Sequence, residues 1–331
     1  MKRTAPTSTM SRRRAVAIIA AASAAWMPGL GYADRPRRFE WRGTVMGADA
    51  RMLLYHRDIA VAETAIAEAV AEIARLEAEF SLFRTDSALS RLNRTGFLDA
   101  PSHDMARLLG DCRWLGDLTN GIFDITVQPL WNLMVGHFAR HPGDTKGPPA
   151  TAIARARARV DYRAVDIAPG RIALAPGMAV TLNGIAQGYI TDRVADLLRA
   201  RGWHNVLIDL GELRTIDSHP DGRPWRITFD GADGNPAVID VVDRAVATSA
   251  GGATRFDAAG RYHHLFDPRD GANRNHFRSV TVEAATAELA DAMSTAFAAA
   301  APDEIVPMAR RASVDRVWTV GRDGYATQIF G

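Results

Sequence analysis

Thr181-Leu182-Asn183-Gly184-Ile185-Ala186-Gln187-Gly188-Tyr189-Ile190-Thr191-Asp192 is where the chain passes from extended backbone into a helix. Two glycines stand four apart around small and polar residues, and Ile190, Val194, Leu197 and Leu198 then recur at helical spacing. The segment reads as a strand end, a tight turn and the first turn of a helix that stops near Gly202. Beyond it strand-like runs dominate, at Asn205 to Leu210, Trp225 to Phe229, Val238 to Val242 and Ser279 to Ala284. Asp221-Gly222, Asp233-Gly234 and Asp323-Gly324 mark hairpin turns between such runs. Before it, the spacing predicts amphipathic helices over 58–79 and 102–119, a Pro/Gly-rich loop over 138–150 and an Arg-rich helix over 151–159. After it come a helix of small residues over 285–301, a helix near 303–312 and a strand near 315–320. Short-turn strands interleaved with helices predict an α+β fold, with helices packed on a largely antiparallel β-sheet.

The first 33 residues read as an address rather than as fold. Lys2, Arg3 and Arg12-Arg13-Arg14 precede an apolar run from Ala15 to Met27, which is too short to span a bilayer comfortably. Gly31-Tyr32-Ala33 then places small residues before Asp34. This is the pattern of a secretory signal peptide, and the paired arginines point to the twin-arginine route for folded cargo. The expected product is a soluble, periplasmic protein of residues 34–331 with no transmembrane helix. Its charge differs from that of the whole chain, which is +2. The leader holds five of the 40 basic residues and no acidic ones, leaving 35 against 38, or −3. On that balance a nucleic-acid partner loses its main support, and none is expected. The single cysteine, Cys112, lies among leucines at helical spacing and reads as a buried thiol.

Several segments carry polar groups suited to chemistry. Gly184 and Gly188 read equally as an anion-binding turn at a helix N-terminus or as a close helix packing. Asp291 and Thr295, four apart on the small-residue helix, share one face and supply hard oxygen donors suited to Mg²⁺. The alternative for Asp291 is a partly buried cap on a neighbouring element. Tyr262 to Gly271 combines His263, His264 and Asp267, a set for proton transfer or phosphate positioning, or else a structural Asx-Pro turn. Gly121 to Trp131 reads as a turn followed by a short apolar strand bearing Ile122, Phe123 and Asp124. Phe83, between a helix and a polar turn, can stack a flat ring or pack in the core. No His-x-His, Cys-x-x-Cys or Gly-x-Ser-x-Gly pattern is present, which leaves zinc and a serine-hydrolase elbow unsupported.

Taken in order, Met46-Gly47, Phe80 to Asn93, Gly121 to Leu130, Leu182 to Asp192, Leu210 to Glu212, Ala247-Thr248-Ser249, His264 to Gly271 and Ala290 to Thr295 resemble the FAD:protein FMN transferase (ApbE) family. The resemblance runs from about residue 41 to 320. It implies an exported Mg²⁺-dependent enzyme that splits FAD, releases AMP and attaches FMN by a phosphoester to a Thr or Ser of a partner. That acceptor would be a membrane-bound electron-transfer flavoprotein with an extracytoplasmic domain. By resemblance the metal would take the Asp291 and Thr295 side chains and the Gly184 carbonyl. FAD would contact Met46, Phe83, Ile122, Phe123, Asp124, Thr181, Gln187 and the His263-His264 region. His264 is the expected general base, with Asp267 orienting it.

The chain departs from the common family pattern at Ala48, at Thr181 and Gln187 in place of Asp and Lys, at Gly211-Glu212 in place of Gly-Gly-Asp, and at Asp270 in place of Thr. These departures bear on transfer efficiency and acceptor choice. They keep two rivals in view: an FAD pyrophosphatase giving free FMN and AMP, and a non-catalytic FAD-binding maturation factor.

Overall fold

The computed structural model describes residues 36–229 and 237–331. The expected leader and the Asp233-Gly234 turn lie outside the described residues. The chain opens on a hairpin of β1 (Arg37–Val45) and β2 (Ala48–His56). Its turn residues, Met46 and Gly47, have φ of 51° and 92°. Two positive values are what a two-residue hairpin needs to match strand twist. Glycine adopts this freely, whereas Met46 is held there with its N–H on Glu77 Oε1 at 2.9 Å.

A helical section follows, with α1 (Ile59–Phe80), α2 (Ala88–Thr95), β3 (Phe97–Asp99), α3 (His103–Leu118), α4 (Gln128–Arg140), α5 (Ala150–Arg157), β4 (Asp166–Ala168), β5 (Arg171–Ala173) and α6 (Ala186–Ala200). Strands then return as β6 (Val206–Asp209), β7 (Leu213–Ile216), β8 (Trp225–Phe229), β9 (Ala237–Val241), β10 (Ala245–Ser249) and β11 (Ser279–Ala284). The chain closes with α7 (Ala287–Ala299), α8 (Pro302–Ala312), β12 (Arg316–Val320) and β13 (Ala326–Phe330).

Eight strands form the main sheet in the order β1-β2-β6-β7-β10-β11-β12-β13, each antiparallel to its neighbours. The expected α+β architecture is therefore present. Helix α7 lies on β10 and β11 and against α6, and α6 in turn packs on α1. Small residues make this possible: Ala287, Ala290, Ala292, Ala296 and Ala299 of α7 are buried. Side-chain caps start four of these eight helices, with Asp58 accepting from Ala60 and Val61, Ser87 from Ser90, Ser102 from Met105 and Thr286 from Leu289. Helix α6 has no side-chain cap of its own. No helix of the described residues is long and apolar enough to cross a membrane.

Three expectations need correction. The apolar run after Gly121 is not a strand: Ile125–Val127 forms a 3₁₀ turn that leads straight into α4, with Pro129 near its start. Asp124 causes this by accepting from both the N–H and the hydroxyl of Thr126, which closes the backbone into a turn. Thr181 and Leu182 are likewise not a strand, although the Thr181 N–H does pair with the Ile125 carbonyl at 2.8 Å. The Asp221-Gly222 turn joins β7 to β8, which belong to different sheets, so it makes no hairpin. Cys112 is buried as expected, and burial pushes its thiol pKa well up.

Candidate active site

Two glycines bring α6 and α7 together. At Gly188 a Cβ would lie 2.3 Å from the Ala287 carbonyl oxygen, and at Gly184 one would lie 3.0 Å from Thr295 Oγ1. The packing reading of the glycine pair is thus correct. It also has a polar outcome. The Gly188 N–H, in the otherwise uncapped first turn of α6, donates to Asp291 Oδ2 at 3.0 Å. An anion belongs at that end of a helix. Asp291 therefore caps a neighbouring element while remaining in the candidate cation set.

The hydroxyl next to it is also organised. Ser249 Oγ, at the end of β10, lies 2.8 Å from Ser294 Oγ and 3.3 Å from Thr295 Oγ1. Asp291 is 3% exposed, and burial raises its pKa to about 7 against the pull of the Gly188 N–H. Glu212, in the β6–β7 turn, is raised well above the carboxylate range by burial and by the nearby charges of Asp291 and Asp209. In the sequence Glu212 stands out only as part of a matching segment that departs from the family pattern, and Ser249 only within a matching segment. The burial of Glu212 and the approach of Ser249 to Thr295 both come from tertiary packing, which a one-dimensional pattern does not display.

Gly184 and Thr295 line one wall of a cleft of about 60 Å³. Ile122, Phe123 and Asp124 line it from the 3₁₀ turn, Thr181 from the segment before α6, and His264 with Leu265 from the loop after β10. Seven of the expected site residues thus converge on one cavity. The Thr181–Ile125 backbone bond holds two of its walls together. Asp124 is not a free acceptor there, because its carboxylate also takes the Tyr162 N–H at 3.1 Å. Burial nonetheless raises its pKa.

His264 Nδ1 lies 3.3 Å from the Thr254 carbonyl, which also takes the His264 backbone N–H. A carbonyl only accepts, so Nδ1 carries the proton and Nε2 is the basic nitrogen. Burial, helped by His263, lowers the ring pKa against the opposing effect of the Thr254 bond. Asp267 does not orient this ring. Its fully buried carboxylate pairs with Arg269 at 2.8 Å and Arg274 at 3.1 Å. Burial alone would raise the Asp267 pKa, but the two guanidiniums outweigh it and hold it low. The Asx-Pro reading of this segment is the correct one for Asp267.

The remaining expected contacts lie outside the cleft. His263 is 3% exposed, with Nδ1 accepting from Leu265 N–H and Nε2 facing the Arg274 carbonyl, so it braces its loop. Gln187 donates to the Leu210 carbonyl at 3.3 Å beside Gly211. Met46 is buried in the hairpin turn, and Phe83 stands against Gly47 with 65% of its surface in solvent. Core packing is not the fate of Phe83.

A sequence profile of the ApbE family matches residues 46–318. The chain belongs to the ApbE family. The FAD:protein FMN transferase of Haemophilus influenzae is 29% identical over 250 residues, covering 71% of this chain and 72% of the relative. That of Vibrio cholerae is 31% identical over 227 residues, covering 66% and 67%. Among solved ApbE structures, the apo flavinyl transferase of Pseudomonas stutzeri matches with a TM-score of 0.77 at 28% identity, over 89% of this chain and 95% of that one. The Vibrio cholerae flavin transferase ApbE matches at 0.76 and 26%, over 88% and 96%. The ApbE match begins at Met46 and so takes in the first hairpin turn as well as the cleft.

Proposed function

We propose that this ApbE protein is a Mg²⁺-dependent FAD:protein FMN transferase, which cleaves FAD at its pyrophosphate and leaves FMN as a phosphoester on a Thr or Ser of a partner. It is an enzyme of the transferase class, a reading supported by its family and its flavin transferase relatives. The observation that carries the finer reading is the meeting of Gly184 and Thr295 in the cleft that His264 also lines, with Asp291 one helical turn before Thr295.

The residues fit a hard cation. An Asp291 carboxylate, a Thr295 hydroxyl and the Gly184 backbone carbonyl are the donor types Mg²⁺ takes. Asp291 is buried, and no cationic side chain among the described residues contributes to its pKa. When bound, Mg²⁺ would neutralise pyrophosphate charge during attack at phosphorus. His264 Nε2 takes the proton of the acceptor hydroxyl as that oxygen bonds the FMN phosphorus. The bond from that phosphorus to the bridging oxygen breaks, and AMP leaves with the electron pair. The Thr254 carbonyl holds the ring through Nδ1 meanwhile.

FAD is larger than a 60 Å³ cleft, since sites for ligands of even drug size run to about 300–1,000 Å³. The pyrophosphate region therefore takes the cleft and the rings lie beyond it, where Phe83 offers an exposed aromatic face. The leader pattern supports export to the periplasm by the twin-arginine route. That site of action fits a membrane-bound electron-transfer flavoprotein with an extracytoplasmic domain as acceptor.

The test incubates residues 34–331 with FAD, Mg²⁺ and an acceptor bearing a Ser/Thr flavinylation segment. Covalently yellow acceptor with stoichiometric AMP is expected. AMP and free FMN with unlabelled acceptor would make the protein a pyrophosphatase, and intact FAD would leave it a binding factor.

A further inference from the structure

Glu212 follows Gly211, whose φ of 103° makes the β6–β7 turn, and it is 8% exposed. Its Oε2 is buried with no hydrogen-bond partner. The charged groups that act on it are Asp291 and Asp209, both acidic, and the Thr248 N–H is the one group that favours its ionised form. Its backbone carbonyl lies 3.4 Å from Thr191 Oγ1, which donates to the Gln187 carbonyl at 2.8 Å. Gln187 immediately precedes Gly188, the donor that holds Asp291. Thr248 immediately precedes Ser249, the residue that braces Thr295. Glu212 is thus connected on both sides to the groups that fix Asp291 and Thr295.

Two neighbouring buried carboxylates repel each other and lose their hydration, a combination that folded proteins resolve by keeping a proton there or by a counter-charge. No arginine, lysine or histidine of the described residues supplies it to Glu212 or to Asp291. We propose that Glu212 is a second carboxylate of the cation seat, its unpartnered buried oxygen joining Asp291 as a donor to the cation. This rests on the metal-dependent reading above. A divalent cation with oxygen preference satisfies the orphaned Oε2 and takes the place of the protons that burial holds on the two carboxylates.

The experiment measures Mg²⁺ binding to FAD-free protein by calorimetry, with the Mg²⁺-induced rise in melting temperature as a second readout. Wild type, Asp291→Asn, Glu212→Gln and Glu212→Asp are compared. The expected result is binding by wild type, loss in Asp291→Asn and an affinity roughly 10- to 100-fold weaker in Glu212→Gln. Glu212→Asp should recover part of that loss, which a purely structural role would not restore. Metal-free Glu212→Gln should melt above metal-free wild type. Wild-type affinity in both Glu212 variants, with Asp291→Asn still defective, overturns this inference and leaves the metal site standing. Absence of Mg²⁺ binding by the wild type overturns both.

Discussion

Asp291 Oδ2 accepts the Gly188 N–H at 3.0 Å, so the carboxylate proposed to hold a cation is also the N-terminal cap of the helix beside it. The two roles separate by substitution. Asp291→Asn keeps an oxygen for the Gly188 N–H but loses the charge. It should fold with near wild-type urea resistance and release AMP from FAD at a small fraction of the wild-type rate. Asp291→Ala should lose activity and also about 1–2 kcal/mol of stability, the usual cost of removing a cap. Undiminished Mg²⁺-dependent AMP release in Asp291→Asn would remove this residue from the site.

Two helical glycines should respond in opposite directions to alanine. A methyl at Gly188 meets the Ala287 carbonyl carbon and oxygen and the Glu288 Cα within 2.8 Å, and none of these backbone atoms can swing aside. Gly188→Ala is expected to cost about 3 kcal/mol or more by overpacking. Gly110, in the exposed face of α3, has nothing within 4 Å. Gly110→Ala should stabilise by about 0.5–1 kcal/mol through helix propensity. Denaturant midpoints of the two variants check both signs.

A pH dependence of transfer follows from the proposed role of His264. Its folded pKa lies below the ordinary 6.5, chiefly through burial, so the folded protein binds fewer protons there than the unfolded chain. Its contribution to stability is therefore complete above pH 6.5 and is lost as the pH falls. With His264 as the proposed base, and with Mg²⁺ saturating so that Asp291 stays ionised, the transfer rate should stay level down to pH 6.5 and drop only below it. His264→Ala should slow transfer by about 10²–10⁴-fold and abolish that inflection. A variant with the wild-type rate and profile would free His264 of the role.

Asp267 should behave as a strut. Asp267→Ala leaves Arg269 and Arg274 without their buried partner. The expected cost is about 3 kcal/mol, the low end for breaking one side of a buried pair, because the arginine side chains are 36% and 31% exposed. The ion pairs hold the Asp267 pKa below 3.8, so their stabilisation is complete above pH 3.8 and is lost as the pH falls through the folded value. Thermal melts between neutral and acid pH should show wild type and variant converging toward the acid end.

The legible parts of the chain are those with a regular pattern or a plain apolar run. Helices α1, α3 and α6 and strands β8 and β9 were readable because each turns one regular face to the core. Strands β6, β11 and β12, buried on both faces, show as short apolar or β-branched runs, and α7 shows as a run of small residues. The 121–131 segment was misread because Ile122, Phe123, Ile125 and Val127, with polar residues between them, look alike as strand or turn, and the Asp124–Thr126 bonds decide the matter. Helix α2 was passed over because its polar face dominates a short segment, although Ser87 and Gly96 cap its two ends. Hairpin β1–β2 was missed because Met46 supplies a positive φ that sequence rules reserve for glycine or asparagine. In the site, residue types on adjacent turns were visible, as with Asp291 and Thr295. Partnerships between distant segments were not, so Asp267 was assigned to His264 rather than to its two arginines, and Glu212 went without a role.

Strand β2 ends at His56 and its hydrogen-bonded partner β6 begins at Val206, with every residue of the helical section between them. A ribosome therefore delivers the first hairpin long before the strand that covers its inner edge. Closing so long a loop is slow, and until it closes an unpaired strand edge stands ready to pair with another chain. Premature threading through a membrane pore would prolong that exposure. A leader that releases only finished cargo would confine this hazard to the cytoplasm, where chaperones can shield the waiting edge.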